Sequence, residues 1–182
     1  MVISAPNALD LHFSQAIQHF QPGWLNTVMR AVSDVAAPVV LIVITLVLVI
    51  YLFLQRKYPS GTTLLILAAG NLLTIILKNI FNQPRPSAPL VHVLTHESSY
   101  SFPSGHAIGA VLFAASIGVS IWPRLSRTAR SWAVGYLTIF CLLVGYSRVY
   151  LGVHWLTDVV YGFAIGLAWA LGCMWLFRTR SK

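Results

Sequence analysis

The stretch His154-Trp155-Leu156-Thr157-Asp158 opens an apolar run that continues to Phe177. As a helix that run is long enough to cross a hydrocarbon core of ~30 Å. His154 and Asp158, four residues apart, share one face at its start. A carboxylate at that spacing accepts the imidazole Nδ1–H, fixes the tautomer and presents Nε2. It also stabilises the cation that forms when Nε2 attacks an electrophile. A snorkelling histidine beside an aspartate favoured by the helix dipole produces the same pair without chemistry. An ionisable pair at the edge of a membrane span is nevertheless read first as a functional site.

Working outward, four more apolar runs precede it, at Ala36–Leu54, Thr62–Ile80, Ala107–Trp122 and Trp132–Ser147. The 182 residues are 57% hydrophobic and only 9% charged, with mean hydropathy +0.75. Soluble domains are about a quarter charged, and no run here has a charged face to turn toward water. Residues 1–34 differ. Leu9, Phe13, Ile17 and Phe20 recur at helical spacing with His12, Gln15, Gln18 and His19 between them. Pro22–Gly23 interrupts the pattern, and Trp24, Leu25, Val28, Met29 and Val32 resume it. The expected fold is therefore all-α, a single polytopic membrane helix bundle. It has about five transmembrane helices in residues 35–182 and an N-terminal interfacial amphipathic helix in 1–34. Tryptophans near the span ends read as interfacial anchors. Gly162, Gly166 and Gly172 read as sites of close helix packing.

The net charge of +8 comes from dispersed cations without a basic-aromatic stripe, which argues against a nucleic-acid partner. Their distribution sets an orientation. Arg56, Lys57, Arg124, Arg127, Arg130, Arg178, Arg180 and Lys182 fall on one face with no acid. The other face carries Arg30, Lys78, Arg85 and Arg148 against Asp10, Asp34, Glu97 and Asp158. The first face is expected to be cytoplasmic, with the C-terminus inside and the N-terminus outside. Cys141 and Cys173 lie inside apolar runs, outside any CxxC or Cys/His cluster, and read as small buried hydrophobes. Met1–Asp10 lacks a basic n-region, so no cleavable signal peptide is expected.

Three further groups share the outer face with His154 and Asp158. Ser104–Gly105–His106 follows Pro103 and opens the third apolar run. Serine is a good N-cap, glycine admits close approach to the backbone, and free N–H groups at a helix start bind anions. His106 then stands beside a bound phosphate, where it can protonate a leaving oxygen. Lys78 ends the second run, and Arg85 sits between Pro84 and Pro86. Together they offer a point charge and a bidentate fork to phosphate oxygens. Ser147–Arg148 closes the fourth run and adds a third cation. Each group alone has an ordinary structural explanation, such as a capped helix or a snorkelling cation. His92, His96 and Glu97 read as a wet loop rather than a metal site, and no metal or cofactor is expected.

Taken jointly, Lys78-x6-Arg85-Pro86, Pro103-Ser104-Gly105-His106 and Ser147-Arg148-x5-His154-x3-Asp158 resemble the signature of the type-2 phosphatidic acid phosphatase superfamily. The resemblance implies that His154 is a nucleophile partnered by Asp158 and that His106 is the general acid. It implies that Lys78, Arg85, Ser104, Gly105 and Arg148 hold the phosphate. Membrane members commonly have six spans, and this chain is similar to a compact bacterial branch that includes undecaprenyl diphosphate phosphatases. The run Glu97–Phe102 also resembles bacterial phosphatidylglycerophosphate phosphatases of type B. The expected function is hydrolysis of a lipid mono- or diphosphate, such as undecaprenyl diphosphate, phosphatidylglycerophosphate or phosphatidic acid. The expected setting is the periplasmic face of the bacterial inner membrane, with the bilayer as partner and a phosphohistidine as intermediate. A phosphotransferase acting on a second lipid and a non-catalytic lipid-binding protein are the alternatives.

Overall fold

The computed structural model describes residues 7–180, with side chains through Leu176. All regular structure among the described residues is helical. The α-helices are α1 (Ala8–Gln18), α2 (Gly23–Val35), α3 (Pro38–Leu54), α4 (Tyr58–Ala69), α5 (Leu72–Phe81), α6 (Gly105–Ile121), α7 (Arg127–Tyr150) and α8 (Leu156–Arg180), with a 3-10 turn at Trp122–Arg124. Among the described residues, four stretches are long and apolar enough to cross a membrane: Tyr58–Phe81, Gly105–Arg124, Arg127–Tyr150 and Leu156–Leu176. A fifth is made by α2 and α3 if they are taken as one span bent by 43°. The bend falls at Ala36–Ala37, just before Pro38 opens α3. A proline disfavours helical conformation in the residue before it, which places the break there. The chain is thus a multi-pass membrane protein.

α6 is the central helix, packed against α3, α4, α7 and α8. Leu67, Ile108, Leu112, Ala170 and Cys173 form the core between α4, α6 and α8. Gly162 and Gly166 let α8 press directly on α6. A Cβ at Gly162 would lie 2.8 Å from Ala107 Cβ and 2.9 Å from the Ser104 carbonyl oxygen, and one at Gly166 would lie 3.0 Å from Val111 Cβ. A Cβ at Gly172 would meet nothing within 4 Å among the described residues, so the third glycine is not a close packing contact there.

α1 packs in the opposite sense to a soluble amphipathic helix. Its buried stripe is polar, with Asp10 at 2%, Ser14 at 2% and Gln18 at 7% exposure, while Leu9 and Phe13 stand 60% and 39% exposed. The reason is hydrogen bonding. Asp10 accepts from the Thr157 amide (2.9 Å) and hydroxyl (2.8 Å) at the start of α8. Gln18 donates to the carbonyls of His92 (2.8 Å) and Tyr150 (3.1 Å) and accepts from the His92 amide (2.9 Å). Arg30 of α2 donates to the Leu94 carbonyl at 2.9 Å. The N-terminal helices therefore satisfy loop backbone groups; α1 leaves Leu9 and Phe13 outward, whereas α2 packs Leu25, Met29 and Val32 against the core.

Candidate active site

The α7–α8 connection is a tight corner. Gly152 has φ +70° there, and a Cβ would lie 2.1 Å from the His92 carbonyl oxygen, so a residue without a side chain is required. The amides of Val153 and His154 return to the Arg148 carbonyl at 3.2 and 3.3 Å. This corner swings His154 back over the start of α8, where Asp158 lies one turn on. The Nδ1 of His154 is 3.3 Å from Asp158 Oδ2. The same oxygen accepts from the Trp155 amide at 2.9 Å and from the Ser101 hydroxyl. His154 is 2% exposed and Asp158 is fully buried.

The tautomer follows from the neighbours. Arg85 Nη1 lies 3.2 Å from His154 Nε2. A guanidinium only donates, so Nε2 carries the lone pair and Nδ1 carries the proton that faces Asp158. Burial first, then the nearby Arg85, Arg148 and Lys78, hold the imidazole well below its ordinary pKa. His154 is therefore neutral and presents Nε2 as a base.

The 83–103 loop closes over this pair. Phe102 is clamped edge-on between Phe81 of α5 (4.9 Å) and Tyr161 of α8 (5.5 Å). Ser101 donates its amide to the Gln83 carbonyl at 2.8 Å. Ser104 is the N-cap of α6, accepting from the Ala107 amide at 3.4 Å, and its own amide donates to the Asp158 carbonyl at 3.0 Å. The Ser104–Gly105–His106 turn is thereby fixed against α8. His106 comes within hydrogen-bond reach of the Ser33 carbonyl at the end of α2.

The three cations converge on this loop. Lys78 donates to the carbonyls of Tyr100 and Ser101. Arg85 donates to the carbonyls of Ser99 (2.6 Å) and Val153 (2.6 Å). Arg148, 1% exposed, donates to the Ser33 hydroxyl and to Glu97. Arg85 also meets Glu97 at 3.3 Å. Burial opposes ionisation of Glu97, but Arg148 and then Arg85 hold its carboxyl below the usual carboxylate range. It stays charged and bridges the two guanidiniums.

The structure thus brings His106, His154, Asp158, Lys78, Arg85, Ser104, Gly105 and Arg148 to one end of the bundle. Three further neighbours join them that the sequence does not single out as site residues: Glu97, which it places in a wet loop, Ser33 and Ser101. Ser33 lies in the segment expected only to line the interface, and nothing in its local pattern marks it. Glu97 had a usable signal, since it is the sole acid in the loop that carries Arg85. His92 turns to α1 and its following residues instead of the site. His92 Nδ1 pairs with Gln21 Oε1 at 3.0 Å, and among the described residues no cluster of three His, Cys, Asp or Glu is found.

Comparison with known proteins agrees with this architecture. A family model described as "PAP2 superfamily" matches residues 59–182. The phosphatidylglycerophosphatase B of Bacillus subtilis is 35% identical over 168 residues, covering 90% of this chain and 81% of the relative. An undecaprenyl-diphosphatase of Sulfolobus acidocaldarius is 31% identical over 161 residues, covering 86% and 73%. Among solved structures, the transmembrane PAP2 type phosphatidylglycerolphosphate phosphatase from Bacillus subtilis superimposes with a TM-score of 0.80 at 32% identity, covering 96% of this chain and 88% of that one. LpxE of Aquifex aeolicus gives 0.75 at 30% identity, covering 96% and 99%. With its motif residues gathered at one end of a membrane bundle and its family match extending over most of the sequence, this chain belongs to the PAP2 superfamily of phosphatases.

Proposed function

We propose that this protein hydrolyses a lipid mono- or diphosphate at the extracytoplasmic face of a bacterial inner membrane, through a phosphohistidine on His154. The observation that carries the reading is the His154 ring itself. Nδ1 faces Asp158 at 3.3 Å while Nε2, deprotonated, faces the cation Arg85 at 3.2 Å. An imidazole held in that tautomer beside fixed cations is a nucleophile aimed at an anionic phosphoryl group.

The phosphate enters where Glu97 now bridges Arg85 and Arg148. A phosphate brings more charge and more oxygens than one carboxylate, so it displaces Glu97 and takes both guanidiniums. Arg85 then turns from Nε2 to the phosphate oxygens and frees the lone pair. Nε2 attacks in line, the P–N bond forms, and the P–O bond to the lipid breaks. His106 gives its proton to the departing oxygen. Asp158 balances the charge on the His154 ring. Lys78, Arg85, Arg148 and the amides at Ser104–Gly105 hold the equatorial oxygens as charge spreads over them. His106 next takes a proton from water, which attacks phosphorus; the P–N bond breaks, its electron pair returns to His154 Nε2, and inorganic phosphate leaves. Three cations meet the phosphate charge, so no step is assigned to a metal ion.

The substrate class rests on the membrane setting and on relatives named for phosphatidylglycerophosphate and undecaprenyl diphosphate. The uneven distribution of cations supports the extracytoplasmic placement and a cytoplasmic C-terminus. In this reading α1 lies along the interface and α3–α8 form the catalytic bundle, to which α2 adds Ser33. Rapid quench into alkaline detergent, with lipid phosphate labelled in the phosphoryl group, tests the core of the proposal. The intact chain should trap acid-labile phosphoprotein in excess chelator, and His154→Ala should trap none and turn over at no measurable rate. Turnover by His154→Ala, or loss of the intact chain's rate in chelator with rescue by a divalent ion, would overturn the mechanism.

A further inference from the structure

A cavity lies toward the other end of the bundle from the candidate active site. α7 meets α8 closely near the candidate active site, where a Cβ on Gly145 would lie 2.6 Å from Phe163 Cζ and 2.7 Å from Val159 Cγ1. Beyond that contact the two helices part around α6. They leave an apolar cavity of about 800 Å³, walled by residues that include Ala115, Gly118, Trp122, Leu137, Leu167 and Met174. This is within the size range of small-molecule sites, ~300–1,000 Å³. A packed layer of Ala107, Val149, Val159 and Phe163 lies between it and the His154–Asp158 pair.

The mouth of the cavity is basic. Trp122 and Pro123 belong to its wall, and the connection they begin and the first turn of α7 carry Arg124, Arg127 and Arg130 with no acid. The Arg130 guanidinium lies 5.2 Å over the Trp122 ring, and its buried Nε has no hydrogen-bond partner among the described residues. Arg124 donates to the Ser120 carbonyl at 2.7 Å, on the same rim. α6 runs 17 residues from Gly105 to Ile121, so this rim is about 25 Å from the Ser104 turn.

We propose that this cavity is a binding site for one anionic phospholipid. The hydrocarbon fills the space between α6, α7 and α8, and the phosphate is held by Arg124, Arg127 and Arg130. A hydrocarbon guest matches the walls, and an anion matches the rim. A zwitterionic lipid would bring an ammonium to a rim with no acid to meet it. A second copy docked about a twofold axis would set the same three cations against one another. The tail of a lipid seated at His154 is kept out by the Ala107–Val149–Val159–Phe163 layer. The site is therefore separate from the one that takes substrate.

Native mass spectrometry of the full chain in detergent tests this, with phosphatidylglycerol or phosphatidylcholine of the same acyl chains added. The wild type should retain one phosphatidylglycerol and prefer it roughly fivefold per engaged cation. Gly118→Leu should lose the bound lipid, because it fills the cavity from a position with open space beside it. Circular dichroism and melting in detergent would show that it folds. Arg130→Gln, a change at the rim, should reduce the preference while leaving phosphatidylcholine retention unchanged. Equal retention of the two lipids by the wild type would overturn the proposal. So would undiminished preference in Arg130→Gln, or a dimer that Gly118→Leu dissociates in place of a bound lipid. If Gly118→Leu does not fold, the Arg130→Gln preference decides.

Discussion

Asp158→Asn separates charge from geometry in the proposed nucleophile. Asp158 Oδ2 accepts from Trp155, Ser101 and His154, while Oδ1 is buried without a partner among the described residues. An asparagine can therefore place its oxygen at the Oδ2 position and keep all three contacts. Its amide group then falls at the Oδ1 position, buried and unsatisfied, which costs ~1–3 kcal/mol of stability. The Nδ1–H tautomer survives, and the negative charge is lost. Unit charges about 4 Å apart interact by ~4 kcal/mol at an effective dielectric of about 20. Loss of that stabilisation as the ring becomes cationic corresponds to a fall in kcat of ~10³-fold. The assay is kcat on a lipid phosphate, read beside the melting temperature and the 15N shifts of the His154 ring. The expected result is a slow enzyme with Nε2 still unprotonated. A rate within tenfold of wild type would refute the charge argument. A ring found with its proton on Nε2 would show that the asparagine amide points at Nδ1, and the tautomer rather than the charge would then account for the loss.

The other predictions concern packing, pH and orientation. Gly162→Ala should destabilise the protein by ~1–3 kcal/mol through overpacking, and lower activity by separating Ser104 from Asp158. Gly172→Ala, in open space, should be neutral or stabilising. Equal melting temperatures in the two variants would contradict the α6–α8 contact. Because His154 has a lowered pKa in the folded chain, the unfolded chain takes that proton first as pH falls. Stability from this group is present above about pH 6.5 and lost below it, so His154→Gln should melt less steeply between pH 7 and 5 than wild type. Parallel pH profiles would refute it. For orientation, a cysteine at Ser87 in intact cells should react with an impermeant thiol reagent and one at Ser126 should not. The reverse pattern would turn the protein over.

Some of the site was legible in short-range chemistry. The i,i+4 spacing of His154 and Asp158 already puts them on one helix face, and Pro103–Ser104 already stops one segment and caps the next. Gly152 and Glu97 show why other parts were not legible. Gly152 is required by the His92 carbonyl, sixty residues away in sequence. Glu97 matters because the fold lays its loop between Arg85 and Arg148. Such facts depend on where distant segments meet, and a local pattern carries no record of that.

The same division applies to the whole chain. Hydropathy and spacing determined the helical class, the membrane setting and which residue types carry chemistry, because each follows from one segment's interaction with lipid or with its own backbone. Tertiary structure decided the rest. It turned Asp10, Ser14 and Gln18 of α1 inward, where Asp10 meets Thr157 at the start of α8 and Gln18 meets the backbone of His92 and Tyr150, although the alternation alone reads as a helix with its polar side in water. It brought Ser33 to Arg148 and His106. It chose Gly162 and Gly166 over Gly172 as the contact of α8 with α6. In each case the deciding quantity is the position of a partner far along the chain, and only the packed molecule supplies it.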